Sequence, residues 1–375
     1  MAHAYSPGLK VTNKILLRKK RRLPLKGDVL VKVGQKVKAS DVVAQTNLPG
    51  NVEALNVANK LSVPAEEIKE YMLKKVGESM EKGEMIAQTN GFFGLFKSSA
   101  ISPVSGTIES ISHITGQVIL REPPIPVAVK AYIDGEVIEI LENEGVIVET
   151  PAAFVQGIFG IGPEVHGPLQ IITEDTNKVL QANDIPQDVK GKILVGGAMV
   201  TVDAINKAIE QKAVAIVTGG IDAKDLKDFL GYDLGVAITG NEEKGITLVI
   251  TEGFGKMRMA SFTYDLFKSL EGRIASAHGA TQIRAGVIRP EVVIPLPELS
   301  KESLQTEQKE MAIVEIDSPI RAIRVPYFGN LGRIKELPAE LEDIDSEAHV
   351  RIFKVLLEDG KEVTIPRANV EIIEH

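Results

Sequence analysis

The residues from Val33 to Asn47 read VGQKVKASDVVAQTN, and those from Val76 to Asn90 read VGESMEKGEMIAQTN. Six of the 15 positions are identical, and the two copies start 43 residues apart. A repeat of this kind indicates a repeated structural unit. Each copy has a turn that contains glycine, then alternating apolar residues, then a polar turn, which is typical of a β-hairpin. We therefore predict one β-hairpin in each copy.

A second sequence element follows each copy and occurs a third time further along the chain. Gly50, Gly106 and Gly135 each precede a segment with apolar residues at alternate positions, which predicts a strand with one buried face. Together with the Val-Gly hairpin, this element resembles the barrel-sandwich hybrid, the fold of biotinyl and lipoyl carrier domains. That fold also occurs as a rigid module in subunits of electron-transport complexes and in RNA polymerase insertions. The resemblance covers residues 23–150.

The modified lysine of the carrier family is missing from this sequence. Carrier domains attach biotin or lipoate to a lysine at a hairpin tip. The corresponding tips here read AQTNLP from Ala44 to Pro49 and AQTNGF from Ala87 to Phe92, and neither contains a lysine. Because the swinging-arm chemistry requires that amine, we expect no covalent biotin or lipoate, and we predict no other cofactor.

The hydrophobic pattern changes in residues 151–299. Apolar runs that end in glycine alternate with segments of helical spacing, which indicates an α/β domain with a Rossmann-like, mostly parallel sheet. Ligands of such sheets bind beyond the carboxyl ends of the strands, where glycine permits a close approach to the backbone. The alternative is that short turns simply favour glycine. The residues predicted to bind a small anion there are Gly196, Gly197, Thr218, Gly219, Gly220, Thr239, Gly240, Gly253, Thr281 and Arg284.

Two titratable residues near this crevice are the candidates for catalysis. Glu252 lies at the end of a predicted strand, and His278 is close in sequence to Thr281 and Arg284. A carboxylate and an imidazole could act as acid and base toward a bound phosphate or carboxylate. The alternative is that both groups are satisfied by hydrogen bonds within the fold. The six histidines form no local cluster with zinc-ligand spacing, so no metal site is predicted.

The C-terminal residues 315–375 follow a polar linker at 300–314 and have an all-β pattern with an Asp-Gly hairpin turn. The run from Pro326 to Gly329, with Gly332 and Ile334, precedes this hairpin, which ends in Val370. On these residues the segment resembles a KOW-type SH3-like β-barrel, a family that binds RNA or proteins. The resemblance implies contacts from Tyr327, Phe328 and Arg333. Residues 319–375 contain eight Lys and Arg against 11 Asp and Glu, which favours a protein partner over RNA.

Charge is distributed unevenly along the chain. The net charge is -8, but the first 27 residues contain eight Lys and Arg and no Asp or Glu. We predict that residues 1–22 form a basic arm that binds an anionic partner; the alternative is a solvated arm or an edge strand protected by its charges. The partner of such an arm would be RNA or the acidic body of a second subunit, bound through Arg18, Lys19, Lys20, Arg21 and Arg22.

The composition, 44% hydrophobic and 25% charged, is that of a globular protein. The sequence has no cysteine, no apolar segment of membrane-spanning length and no signal-peptide pattern, so we expect a soluble, cytoplasmic protein without a membrane span.

Three functions are compatible with these features. The first is a non-catalytic adaptor or assembly factor, a scaffold of a cytoplasmic complex that binds a protein partner and a small anion in the crevice. The second is an RNA-associated KOW protein that acts in transcription or translation. The third is an enzyme that uses the glycine-rich crevice of the α/β domain.

Overall fold

The computed structural model describes residues 9–90, 97–232, 242–281, 288–301, 304, 316–322, 324, 326–327, 329–338, 342–343 and 349–372. The fold is rich in β-strands, which form several sheets, and the helices are short. Among these residues, no helix is both long enough and apolar enough to cross a membrane.

The N-terminal part consists mainly of short strands. Its elements are β1 (Val11–Arg22), β2 (Asp28–Val29), β3 (Lys36–Val37), β4 (Val42–Leu48), β5 (Val52–Asn56), α1 (Val57–Leu61), a 3-10 helix (Ala65–Glu67), α2 (Ile68–Tyr71), β6 (Ser79–Met80), β7 (Met85–Gln88), β8 (Ser99–Ile101), β9 (Gly106–Ile111), β10 (Gln117–Arg121), β11 (Ile125–Lys130), β12 (Gly135–Leu141) and β13 (Gly145–Gln156).

The central part alternates strands and helices. Its elements are β14 (Phe159–Ile161), β15 (Val165–Ile171), β16 (Val179–Leu180), a 3-10 helix (Ala182–Asp184), β17 (Ile193–Val195), β18 (Met199–Val200), α3 (Val202–Glu210), β19 (Ala215–Ile221), α4 (Ala223–Leu230), β20 (Thr247–Phe254), α5 (Ser261–Ser269), β21 (Ile274–His278) and β22 (Glu291–Pro295).

The C-terminal part again consists of strands. Its elements are β23 (Pro319–Ala322), β24 (Leu331–Glu336), β25 (Glu342–Asp343), β26 (His349–Val350), β27 (Ile352–Leu357), β28 (Glu362–Pro366), a 3-10 helix (Arg367–Asn369) and β29 (Val370–Ile372). Five of these strands form a sheet in the order β28-β27-β24-β23-β29, and the Asp359-Gly360 turn connects β27 to β28 as predicted.

The two repeat copies share a structure that differs from the predicted hairpin. In the first copy β3 pairs with β12, whereas β4 pairs with β2 and β11; in the second copy β6 pairs with β9, whereas β7 pairs with β8. Equivalent hydrogen bonds hold both copies, from Gly34 N–H to Val137 O at 2.7 Å and from Gly77 N–H to Ile108 O at 2.8 Å. The predicted hairpins are wrong because the turn in each copy carries the chain from one sheet to another.

The predicted basic arm is a strand of the largest sheet from Val11 onward. β1 pairs antiparallel with β13 along its length, from Val11 opposite Val155 to Arg22 opposite Gly145. On its other side β13 pairs with β12 near its start and with β22 near its end. The predicted domain boundary at 150/151 therefore falls inside a continuous strand, and one 13-stranded sheet includes strands of the N-terminal and central parts.

The central strands supply the parallel pairs of this sheet. β15, β17, β19 and β20 are neighbours that run parallel. Thr201 and Asp222 cap α3 and α4, and buried residues such as Ile205 and Leu226 pack the helices against the sheet. A strand predicted at 234–240 lies outside the described residues.

Candidate functional site

The glycines predicted to line an anion site lie together at one end of the parallel strands. Gly196 follows β17, Gly220 lies near the end of β19, and Gly253 lies near the end of β20. We call this region the carboxyl edge. Its described members are Gly196, Gly197, Thr218, Gly219, Gly220 and Gly253.

The chain itself fills the space over the carboxyl edge. A Cβ atom on Gly219 would overlap the carbonyl oxygen of Met257, and one on Gly220 would overlap that of Gly255. The Met257 N–H donates to the Ala198 carbonyl oxygen at 2.9 Å, which holds this backbone in place. The close approach of one backbone to another accounts for these glycines without a bound anion.

The polar side chains at the carboxyl edge also have hydrogen-bond or ion-pair partners within the chain. The fully buried Thr218 hydroxyl donates to the Gly197 carbonyl oxygen at 3.3 Å. Oε1 of Glu252 accepts the Ala260 N–H at 3.0 Å, and Oε2 forms an ion pair with Arg321 from β23. Both oxygens of this buried carboxylate therefore have partners. Because one partner is in the central part and the other is in the C-terminal part, Glu252 links the two parts.

A second ion pair and a cavity continue this contact between the two parts. Arg258 pairs with Glu358 of the C-terminal part. A cavity of about 420 Å³ lies beside this pair, lined by residues 256–258 on one side and by residues 329–331 and 357–359 on the other. The segment that covers the carboxyl edge therefore also contacts the C-terminal part.

His278 belongs to a different group of side chains, which we call the His278 cluster. Its ring meets the ring of Tyr132 edge-on, with 6.2 Å between centroids. The other members are two ion pairs: Lys19 with Glu291, and Arg21 with Glu164. The nitrogen–oxygen distance is 2.6 Å in each pair, and Lys19 and Arg21 both lie over the Tyr132 ring. The cluster joins β1 to the central part, and its two cations balance its two carboxylates.

Tyr132 has an unusual backbone conformation at the centre of this cluster. Its φ of +71° lies in the left-handed region, which bulky side chains rarely adopt. The conformation is held by its N–H, which donates to Ala39 O, and by its carbonyl oxygen, which accepts from the Ser276 hydroxyl. Burial, together with the carboxylates of Glu291 and Glu164, raises the pKa of Tyr132 well above its ordinary value, so the phenol stays protonated near pH 7.

The pKa of His278 shifts in the opposite direction. Burial lowers the pKa of this imidazole, while Glu164 and Glu291 partly oppose the effect. A neutral His278 therefore faces a protonated Tyr132.

Thr281, predicted to act with His278, accepts the Gly160 N–H at 2.8 Å and is buried. Glu252 and His278, which the sequence predicts to act as acid and base, therefore contact different sets of residues.

The remaining basic residues of β1 point to the opposite face of the strand. Arg18 pairs with Glu149 at 2.8 Å, and Arg22 pairs with Glu144. Lys20 is exposed, and no ion pair joins it to another described residue. Four of the five basic residues of β1 that were predicted to bind a partner are therefore neutralised within the chain, which weakens the electrostatic basis for RNA binding.

The predicted contact residues of the C-terminal part have mixed environments. Tyr327 is half-buried against the C-terminal core, and Arg333 is exposed and donates to the Asp317 carbonyl oxygen at 3.1 Å. Four predicted residues lie outside the described residues: Thr239, Gly240, Arg284 and Phe328. Within the part of the chain that is described, no group of three or more His, Asp or Glu could hold a metal ion.

Comparison with known proteins adds no assignment. A scan against protein-family models gives no match, and a search of curated proteins by sequence gives none either.

Proposed function

We propose that this protein is a non-catalytic adaptor that binds a protein partner through equivalent surfaces on its two repeat copies. The observation that carries this proposal is a set of large apolar residues at the same three positions of each copy. Each keeps between 37% and 61% of its surface exposed. The repeat extends three residues upstream of each copy, to Leu30 and Leu73, which are also 43 residues apart. We call these six residues the repeat surface: Leu30, Val33 and Val42 in the extended first copy, and Leu73, Val76 and Met85 in the extended second copy.

The backbone supports the equivalence of the two halves of this surface. The Leu30 N–H donates to Val43 O at 2.9 Å, and the Leu73 N–H donates to Ile86 O at 2.8 Å. A single exposed apolar residue needs no explanation, since apolar atoms make up much of any protein surface. The same apolar exposure at three matched positions in two copies is a pattern, and apolar surface that is rimmed by polar residues is typical of protein contacts.

The architecture favours a binding role over catalysis. The pairing of β13 with β22 makes the N-terminal and central parts one continuous sheet, which could serve as a rigid support for a partner. The candidate catalytic residues Glu252 and His278 have separate partners, and the carboxyl edge is covered by backbone.

We also propose a fold for each part of the chain, based on the resemblances found in the sequence. The N-terminal part is a barrel-sandwich hybrid without the modified lysine, the central part is Rossmann-like, and the C-terminal part is a KOW-type SH3-like barrel. In their support, each repeat copy crosses between sheets, the central strands run parallel, and the C-terminal sheet has five strands.

The test replaces one exposed residue in each copy. The partner is first captured by photo-crosslinking from Val33 and Val76 in the cells that make the protein, and the complex is then rebuilt from purified components. We expect Val33→Asp and Val76→Asp each to weaken binding about fivefold or more, and the double variant to abolish it. Ile114→Asp, at a residue 81% exposed and outside the repeat surface, is the matched control. Unchanged binding by the double variant contradicts the proposal.

A further inference from the structure

A cleft of about 590 Å³ lies between the N-terminal and central parts. Residues 36–38, 134–136 and 149–151 form one wall, and residues 273–274 with the segment from Pro295 to Lys301 form the other. This volume is within the range of small-molecule sites, which favour the junctions between structural units. We call it the junction cleft.

Apolar side chains form much of the junction cleft. Val37 and Pro151 line it from the N-terminal part, and Ile274 and Leu299 from the central part, together with two further prolines. Ile274 is 49% exposed although it is a large aliphatic residue in a concave surface. A ligand that covers Ile274 would remove this apolar surface from water, which favours binding.

A network of ion pairs joins the two walls of the junction cleft. Nζ of Lys301 lies 2.8 Å from a carboxylate oxygen of Glu136 and 3.3 Å from one of Glu149. Arg18 contacts the other oxygen of Glu149 at 2.8 Å. The hydrogen bond from Lys301 lowers the pKa of Glu136, and the same bond raises the pKa of Lys301, so both groups are charged near pH 7. This network balances two cations with two carboxylates.

The other charges of the junction cleft leave one cation in excess. Lys38 pairs with Asp134 at 3.0 Å, and Arg273 pairs with Glu298 at 2.7 Å. Lys36 also lines the cleft; it lies opposite Glu136 in the β3–β12 pairing and helps to lower the pKa of that carboxylate, but no ion pair is formed by Lys36 with another residue of the described part of the chain. The cleft therefore combines an apolar surface with an excess of one cation by count, since Lys36, Lys38, Arg273 and Lys301 line it against Asp134, Glu136 and Glu149.

We propose that the junction cleft binds an organic carboxylate with an apolar body. The carboxylate lies at Lys36, and the aliphatic or aromatic body covers Ile274 and the neighbouring prolines. A ligand with a single negative charge fits this cleft, because the ion-pair network and the two flanking ion pairs are already neutral and only the charge of Lys36 remains. None of the residues that line this site belongs to the repeat surface, and the proposal does not depend on the adaptor function.

The first experiment measures binding of small probes to the full chain by saturation-transfer NMR. The probes are hexanoate and 3-phenylpropionate, with 3-phenylpropanamide as the neutral match and acetate as the match without an apolar body. We expect both larger carboxylates to bind, and 3-phenylpropionate to bind at least about fivefold more tightly than its amide and than acetate. Absence of binding by both larger carboxylates at about 5 mM, or equal binding of the amide, overturns the proposal.

Two variants of the junction cleft separate the contribution of its excess charge to ligand binding from that of its apolar surface. Lys36→Gln removes the excess charge, and Ile274→Asp places a carboxylate on the apolar surface; both residues are exposed. We expect each to weaken binding of 3-phenylpropionate about tenfold, with circular dichroism and unfolding temperature unchanged for Lys36→Gln. The matched controls are Lys60→Gln and Ile114→Asp at exposed residues outside the cleft. If Lys36→Gln binds the probe as tightly as the unmodified chain does, the proposed site is refuted, whatever Ile274→Asp does to folding.

Discussion

Glu252 in the central sheet forms a buried ion pair with Arg321 in the C-terminal sheet. The side chains are only 2% and 4% exposed, respectively. The second oxygen of Glu252 accepts the N–H of Ala260 at the start of α5. One carboxylate therefore fixes both the segment that leads into α5 and the position of the C-terminal part.

Removing one partner of this ion pair should strongly destabilise the protein. We expect Glu252→Gln or Arg321→Met to lower the free energy of unfolding by about 3–5 kcal/mol, because each leaves a buried charge without this counter-charge. The double variant should lose less than the sum of the two single losses. Urea unfolding measures all three, and Glu174→Gln at the exposed Lys268–Glu174 pair is the control, for which little change is expected. A stable Glu252→Gln variant would show that the pair does not join the two parts.

Gly219 should tolerate no side chain. Gly219→Ala places a methyl group on the Met257 carbonyl oxygen, so the covering backbone must move and stability falls by more than about 2 kcal/mol. Gly272→Ala is the control, since nothing lies within 4 Å of its Cβ position and its positive φ of 81° alone costs about 1–2 kcal/mol. Thermal unfolding of both variants gives the comparison. A smaller loss at Gly219 than at Gly272 would mean that the carboxyl edge is open.

Binding of RNA should be weak at physiological salt. Four of the five basic residues in the second half of β1 are ion-paired, so few cations remain to displace counterions. Deletion of β1 is unsuitable as a test because it removes a strand of the main sheet. The measurement is fluorescence anisotropy with a single-stranded RNA and the Lys20→Glu variant, and we expect no detectable difference. Tight, salt-dependent binding that is lost in Lys20→Glu would instead favour the RNA-associated function.

Stability should fall at acid pH partly through His278. Its folded-state pKa is lowered, so as pH falls below about 6.5 the unfolded chain takes up a proton that the folded chain resists. The contribution of neutral His278 to the free energy of unfolding is therefore complete above the unfolded-state pKa, and it is lost as pH falls toward the folded-state pKa. The groups facing His278 are Tyr132 and the charged residues Lys19, Arg21, Glu164 and Glu291.

The corresponding variant is His278→Asn. Its free energy of unfolding, followed by urea titration at several pH values between about 7 and 5, should depend less on pH than that of the unmodified chain. His113→Asn, at an exposed histidine, is the matched control. An identical pH dependence in His278→Asn and the unmodified chain would contradict the assignment of a lowered pKa.

Several elements of the fold could be predicted from local sequence patterns. The strands around Ile193, Ile216 and Val249 and the helices between them follow from apolar periodicity. The predicted hairpins fail because alternation specifies a strand and its buried face but not its pairing partner. The continuous β13 hides the junction at 150/151, since no polar linker marks it.

The candidate site was less predictable than the fold. Glycines at strand ends have the same pattern whether a ligand or a backbone segment approaches them, and only the position of Met257 separates the two. The Glu252–Arg321 pair spans 69 residues of sequence, and Tyr132 stands in no recognisable motif. Such long-range contacts leave no local signal. The repeat surface, in contrast, could have been found by extending the repeat to Leu30 and Leu73.

The most direct test of the adaptor function is hydrogen–deuterium exchange of the full chain, alone and with its protein partner. Complex formation should slow exchange in peptides that cover residues 30–42 and 73–85, to a similar extent in both, because the two copies expose equivalent apolar residues. Protection of one copy alone, or protection confined to β1 or the C-terminal part, would contradict the central claim.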